Sequence, residues 1–264
     1  VFIMSGWQDG YKNPVDHVLR GLSALGKPVT AMLGPYGHRY PFDGYPGPRV
    51  DWLRYVTTHW WDRWLKGARP DPATRWPEFT VWMGQSREPD PSPDYTDEGR
   101  WVAEDHEWMG RSKPETYYLG PTLAPTPPPP GVHDSRALDL SAVGAPLNIG
   151  TALIETSSFG SAANPDLPRD QTADDKQAIT FDSAPLSTDL ECFGYPTVRL
   201  NVEADKPITA LVVRLAEISP TTGASHLVSY TFFNLVYRDG DQADPKPVPP
   251  GVFGVEIPLN IIGH

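Results

Sequence analysis

Apolar and polar positions divide the chain into two regimes. In the first, short continuous apolar runs alternate with amphipathic stretches. Val1 to Ser5 is a run of the kind that parallel strands carry when both faces are covered. The polar turn Gly6-Trp7-Gln8-Asp9-Gly10 follows it. Pro14 then opens a segment in which Val15, Val18, Leu19, Leu22 and Leu25 recur at helical spacing, and Gly26 closes it. Val29 to Leu33 predicts a second buried strand and leads into Gly34-Pro35-Tyr36-Gly37-His38. A loop rich in proline and glycine runs to Pro48. Val50 to Leu65 then predicts a longer helix, with Leu53, Val56, Trp60 and Trp64 on one stripe and Gly67 past its end. Two strands joined by a helix imply a right-handed parallel crossover. Residues 1–70 are therefore expected to form a parallel βαβα unit.

The second regime begins near Pro70. Strand-like runs separated by turns occupy Phe79 to Met83, Thr116 to Leu119, Gln177 to Phe181, Thr197 to Glu203, Thr209 to Leu215 and Leu227 to Leu235. Val198, Leu200 and Val202 alternate with polar neighbours, as in a half-buried strand. Long helices are not predicted here. Residues 71–264 are expected to form a mostly β sandwich of the jelly-roll kind. Pro121 to Pro130 is dense in proline and expected to be extended. Residues 156–176 are polar and expected to form a long loop. Both ends of the chain lie in strand-like sequence, so it is expected to be a piece of a longer protein.

Composition narrows the function classes. The 264 residues suffice for one large domain or two ordinary ones. Nine Trp supply large rigid apolar surfaces, while 31 Pro favour loops and β-edges over helices. A net charge of -11 argues against a nucleic-acid partner, which calls for a basic face. No apolar run is long enough to span a bilayer, so no membrane partner is expected. The single cysteine, Cys192, excludes an internal disulfide and a Cys-rich zinc site. The seven His show no metal-binding spacing, and Asp239-Gly240-Asp241 lacks the later acid of a calcium loop and reads as a turn. No cofactor and no metal are expected.

Two turns carry candidate chemistry. Asp9 follows one predicted parallel strand and His38 follows the next. Open α/β sheets place their sites at such carboxyl ends. Acid and then histidine is also the chain order of an α/β-hydrolase triad after its serine. A histidine must accept the serine proton, and a carboxylate must fix its tautomer and stabilise the imidazolium. The bland reading stands beside this one. An Asp in a Gly-rich turn is often only a turn-former, and a lone His is often a packed or surface residue. Gly84-Gln85-Ser86-Arg87-Glu88 nearly matches a nucleophile elbow, but Pro89, Pro91 and Pro93 forbid the helix that an elbow must enter. Ser5 precedes the acid turn without an elbow. No nucleophile is assigned in this chain.

The wording of the turns adds to their spacing. Gly6-Trp7-Gln8-Asp9-Gly10 and Gly34-Pro35-Tyr36-Gly37-His38 resemble the acid and histidine motifs of the CocE/NonD hydrolases. That family includes cocaine esterase, α-amino-acid ester hydrolases and X-Pro dipeptidyl-peptidases. His59-Trp60-Trp61-Asp62-Arg63-Trp64-Leu65-Lys66-Gly67 resembles the phrase closing a helix of that family. Phe79 to Gly84 with Arg100-Trp101 resembles the start of its β-domain. Phe181-Asp182-Ser183-Ala184-Pro185-Leu186, Gly194-Tyr195-Pro196 and Val213-Arg214-Leu215 resemble later phrases in the same order.

The resemblance implies the last piece of an α/β-hydrolase core followed by most of a jelly-roll domain. It implies a serine hydrolase acting on an ester or amide, of the acyl ester or X-Pro dipeptide type. His38 would be its base and Asp9 its acid, with the serine upstream. Trp7 and Tyr36 flank these two and are candidates for lining a substrate pocket, or for ordinary packing. The expected partners are a small ester or peptide substrate and the upstream part of the same protein, with an oligomer open. This chain alone is expected to be inactive. The alternative is a non-catalytic β-sandwich that binds carbohydrate or protein on an inactive hydrolase remnant.

Overall fold

The computed structural model describes residues 1–38, 40–42, 47–69, 75–90, 97–132, 134–137, 170–240 and 243–264. The readings that rest on Pro70, Pro91, Pro93, Asp241 and residues 156–169 lie outside these.

Phe2–Gly6 (β1) and Thr30–Gly34 (β2) run parallel, from Phe2 opposite Thr30 to Gly6 opposite Gly34. Every residue of β2 is buried, which is why its run is continuous rather than alternating. Asn13–Ala24 (α1) connects the two strands. Pro14 sits in its first turn, where a missing N–H leaves no bond unmade. Val15 and Leu19 of its predicted stripe are buried, whereas Leu25 lies beyond the helix and is exposed.

Phe79–Gly84 (β3) adds to β2 in parallel, and Gly99–Glu104 (β4) pairs antiparallel with β3 along its whole length. The sheet order is β1-β2-β3-β4. One sheet therefore continues across residue 70, where the sequence pattern changes. Its core gathers Leu19, Leu33, Phe79, Val81, Trp82 and Trp108.

The helix expected over Val50 to Leu65 forms in three parts. Trp52–Tyr55 (α2) and Trp61–Lys66 (α3) flank a π-helical turn, Val56–Trp60. The hydroxyls of Thr57 and Thr58 donate back to the carbonyls of Leu53 and Arg54, at 2.8 and 2.7 Å, which competes with the regular ladder. Val56 and Trp60 face inward and Trp60 meets Phe2 edge-on, whereas Leu53 and Trp64 of the same stripe are exposed.

The rest of the described chain is mostly β with few helices. Thr197–Val202 (β6) pairs antiparallel with Phe253–Pro258 (β9). Ala210–Ile218 (β7) pairs antiparallel with Ser225–Asn234 (β8), with an irregularity at Leu215/Ala216. Leu200, Leu211, Val213, Phe233, Val255 and Ile257 from these four strands share one core with Leu235 and Val248. Phe193–Gly194 (β5) and Ile262–Gly263 (β10) make a short antiparallel pair. Two expected strands do not form. Tyr118 makes only an isolated bridge to Ala124, and Gln177 follows a helical turn at Thr172–Asp175. Neither run has a neighbouring strand to pair with among the described residues, and an unpaired strand is not stable. The proline-dense stretch from Pro121 is irregular apart from single bridges at Leu123 and Ala124. Among the described residues, no helix is long and apolar enough to cross a membrane.

A buried carboxylate joins α1 to the later residues. Asp16, with no exposed surface, accepts from Trp108 Nε1 at 2.8 Å, Tyr195 OH at 2.9 Å and Arg20 Nε at 2.9 Å. Trp108, in a short helix at Trp108–Arg111 (α4), packs on Phe193 at 4.2 Å between ring centres.

Candidate active site

Because Gly6 lies opposite Gly34, the turns after β1 and β2 leave the sheet side by side. Backbone bonds lock them together: Trp7 N donates to Gly34 O at 2.8 Å and Gln8 N to Tyr36 O at 3.0 Å. Asp9 N donates to Gly6 O at 3.0 Å and closes the acid turn. A Cβ on Gly6 would stand 1.9 Å from Tyr36 O, so only glycine lets the two turns approach this closely.

This frame brings Asp9 to His38. Asp9 Oδ2 lies 2.9 Å from His38 Nδ1, and Oδ1 accepts from Tyr11 N at 2.9 Å. Both carboxylate oxygens are thus engaged. The Asp9 side chain is 9% exposed and the His38 side chain 62%. The acid sits behind the imidazole, and the imidazole opens outward beside the Tyr11 ring, 5.8 Å away. A carboxylate only accepts, so the neutral imidazole that matches this contact is the one with its hydrogen on Nδ1 and its lone pair on Nε2. The arrangement can accept a proton at Nε2 and stabilise the resulting cation through Asp9.

Trp7 and Tyr36 build the frame from within. Trp7 is buried and its Nε1 donates to Trp82 O at 2.7 Å. Tyr36 has no exposed surface, and its hydroxyl donates to Pro48 O at 2.9 Å. Burial pushes its phenol up from the ordinary range. Among the described residues, no serine hydroxyl is hydrogen-bonded to His38. Ser86 donates instead to the Glu217 carboxylate, and no helix follows it through Asp90. Ser5 is buried within β1 itself.

Sequence reading passed over the residues just after the acid. Lys12 is buried, and its Nζ donates to Trp7 O at 2.9 Å. A cation at the N-cap of α1 opposes the helix dipole, and that oddity was the available signal. Behind the turn lies a cavity of about 60 Å³ lined by Lys12, Arg87, Asp97, His226 and His264 among others. Arg87 Nε stands 3.3 Å from Asp97 Oδ1, and His264 Nε2 stands 3.0 Å from Glu217 Oε2. Burial raises the Asp97 carboxyl, against the pull of Arg87. Burial lowers His226, while His226 and His264 hold the Glu217 carboxyl far below the carboxylate range. A wider groove of about 710 Å³ runs past Leu123, Arg136, Ser183 and Leu186, and neither turn contributes to it. Among the described residues, no three His, Cys, Asp or Glu side chains are arranged to hold a metal ion.

Residues 73–264 match a family model described as the X-Pro dipeptidyl-peptidase C-terminal non-catalytic domain. Among curated proteins no sequence matches the chain. Among solved structures it is similar to an aminopeptidase from the marine sediment archaeon Thaumarchaeota archaeon, with a TM-score of 0.68 and 20% identity. That likeness, one of fold, covers 100% of this chain and 44% of the aminopeptidase.

Proposed function

The chain belongs to the family of the X-Pro dipeptidyl-peptidase C-terminal non-catalytic domain, and from that premise we propose that it is the C-terminal portion of a serine hydrolase cleaving an ester or amide. Residues 1–70 are the last piece of an α/β-hydrolase core of the CocE/NonD type. Residues 71–264 are its jelly-roll domain. The nucleophilic serine and the oxyanion donors come from a part of the protein outside these residues.

One observation carries the reading: the 2.9 Å contact between Asp9 Oδ2 and His38 Nδ1, made by turns that follow adjacent parallel strands. The steps then follow from the atoms. Serine Oγ attacks the carbonyl carbon while its proton passes to His38 Nε2. Asp9 stabilises the imidazolium through Nδ1. As the tetrahedral intermediate collapses, the bond to the leaving group breaks and that group takes the proton from Nε2. Water, deprotonated by His38, attacks the acyl carbon, and as that second tetrahedral intermediate collapses the bond to serine Oγ breaks and Oγ takes the proton back from Nε2. Trp7 and Tyr36 act as walls behind the pair, holding the two turns in place, rather than as contacts to the leaving group. Residues 71–264 supply no reacting group, in keeping with the family description.

The test is labelling of the full-length protein with a fluorophosphonate, compared with His38→Ala. Labelling is expected to fall by a factor of about 10³ or more without the base, and the present chain alone is expected to show no active-site-dependent ester hydrolysis. Equal labelling of both proteins overturns the assignment of His38. It would favour the other reading, a β-sandwich that binds a partner on an inactive core.

A further inference from the structure

The acid turn is gripped from behind by residues about 250 positions later, and each grip is specific. Asn13 follows the turn directly. Its Oδ1 accepts from Ile261 N at 2.9 Å, which fixes the orientation of its amide. Its Nδ2 then donates to Asn260 Oδ1 at 2.9 Å. Asn260 is itself held on both sides, because its carbonyl accepts from Ser229 Oγ at 2.7 Å and its N–H donates to Tyr230 O at 3.2 Å. Trp7, two residues before Asp9, lies against Gly263. A Cβ there would meet Trp7 Cζ2 at 2.6 Å and Trp82 O at 2.9 Å, the oxygen that accepts from the Trp7 indole. Lys12 ties the turn to the same wall, since its ammonium caps Trp7 O and stands 5.8 Å from the Tyr230 ring centre.

These contacts hold the residues on either side of Asp9 in the chain, Trp7 before it and Lys12 and Asn13 after it. We propose that Asn13, Asn260 and Gly263 are positioning residues for Asp9, so that the domain without reacting groups sets the aim of the acid. The proposal rests on the Asp9–His38 reading. The physical basis is geometric. An imidazole favours the Nδ1–H tautomer when an acceptor is held on Nδ1, and the acceptor within reach here is Asp9 Oδ2. A turn free to tilt by an ångström loses that contact.

The experiment reads the His38 tautomer in the protein by long-range ¹⁵N–¹H correlation of labelled histidines, under conditions where the ring is neutral. Wild type is expected to show Nδ1–H, and Asp9→Ala to lose that preference. Asn13→Ala and Asn260→Ala are expected to lose part of it, with the His106 signal, paired to Glu78, unchanged. Asn13→Asp keeps the acceptor for Ile261 N and should lie between wild type and Asn13→Ala. Urea midpoints are measured on the same samples. If both alanine variants lower the midpoint but keep the wild-type tautomer, these residues are merely structural and the proposal falls. If Asp9→Ala itself leaves the tautomer unchanged, it is the Asp9–His38 reading that has failed. Asn260→Ala leaves the Ile261 N bond to Asn13 in place and so preserves the fold best; its outcome decides if Asn13→Ala does not fold.

Discussion

Replacing Asp16 with alanine removes the acceptor that three side chains share. Trp108, 2% exposed, would keep its indole N–H with no partner, and the half-buried Tyr195 would lose its acceptor. Each orphaned buried donor costs about 1–3 kcal/mol. The Arg20 side chain is 37% exposed and can turn to water, so it adds little. The expected loss is about 4 kcal/mol, a large part of the stability of an ordinary domain. Tyr195→Phe removes one donor and leaves the carboxylate its other partners, for about 1 kcal/mol. Arg20→Ala should cost less than either. Urea unfolding followed by tryptophan fluorescence orders the three. If Asp16→Ala costs no more than Arg20→Ala, the carboxylate does not hold α1 to Trp108 and Tyr195, and the reasoning fails.

Two further outcomes follow from burial. His226 is 5% exposed and its pKa is lowered from 6.5, first by burial, so the unfolded chain takes its proton more readily. Its contribution to stability is complete above pH about 6.5 and declines below that value. Glu217, held far below its ordinary 4.5 by His226 and His264, contributes above pH about 4.5 and loses that contribution in more acid solution. Unfolding free energy should therefore fall in two stages as pH drops. His226→Asn should flatten the upper stage and shrink the lower one as well, because it removes the first of the two groups that hold Glu217 down; an unchanged slope in the upper stage would refute the assignment. Tyr36→Phe should lower stability by about 1 kcal/mol through loss of the bond to Pro48 O, while fluorophosphonate labelling of the full-length protein stays unchanged. Lost labelling would mean that the hydroxyl serves the reaction.

Much of the first 70 residues was legible because its signals are local. Apolar runs marked β1 and β2, Pro14 and Gly26 bracketed α1, and the Gly-rich turns put Asp9 and His38 at neighbouring strand ends. The pairing of Ala31 with Phe79 was not legible, because nothing near Phe79 says which strand it will lie beside. The same limit explains the false strands. Tyr118 and Gln177 sit in runs with strand propensity, and propensity does not supply a pairing edge. The π turn at Val56–Trp60 was hidden in a pattern that fits a regular helix equally well. Nothing local marks Asp16 as buried, because its partners Trp108 and Tyr195 lie 92 and 179 positions away.

The link from Asn13 to Asn260 also has a consequence in time. It spans 247 positions. At about 5–20 residues per second of synthesis, Asn13 leaves the ribosome roughly 12–50 s before its partner Asn260. Contacts this distant along the chain form late in folding as well. In the newborn protein the turn and Asn13 are therefore made early, and the bonds from Asn13 to Asn260 and Ile261 form only after residues 259–263 have emerged.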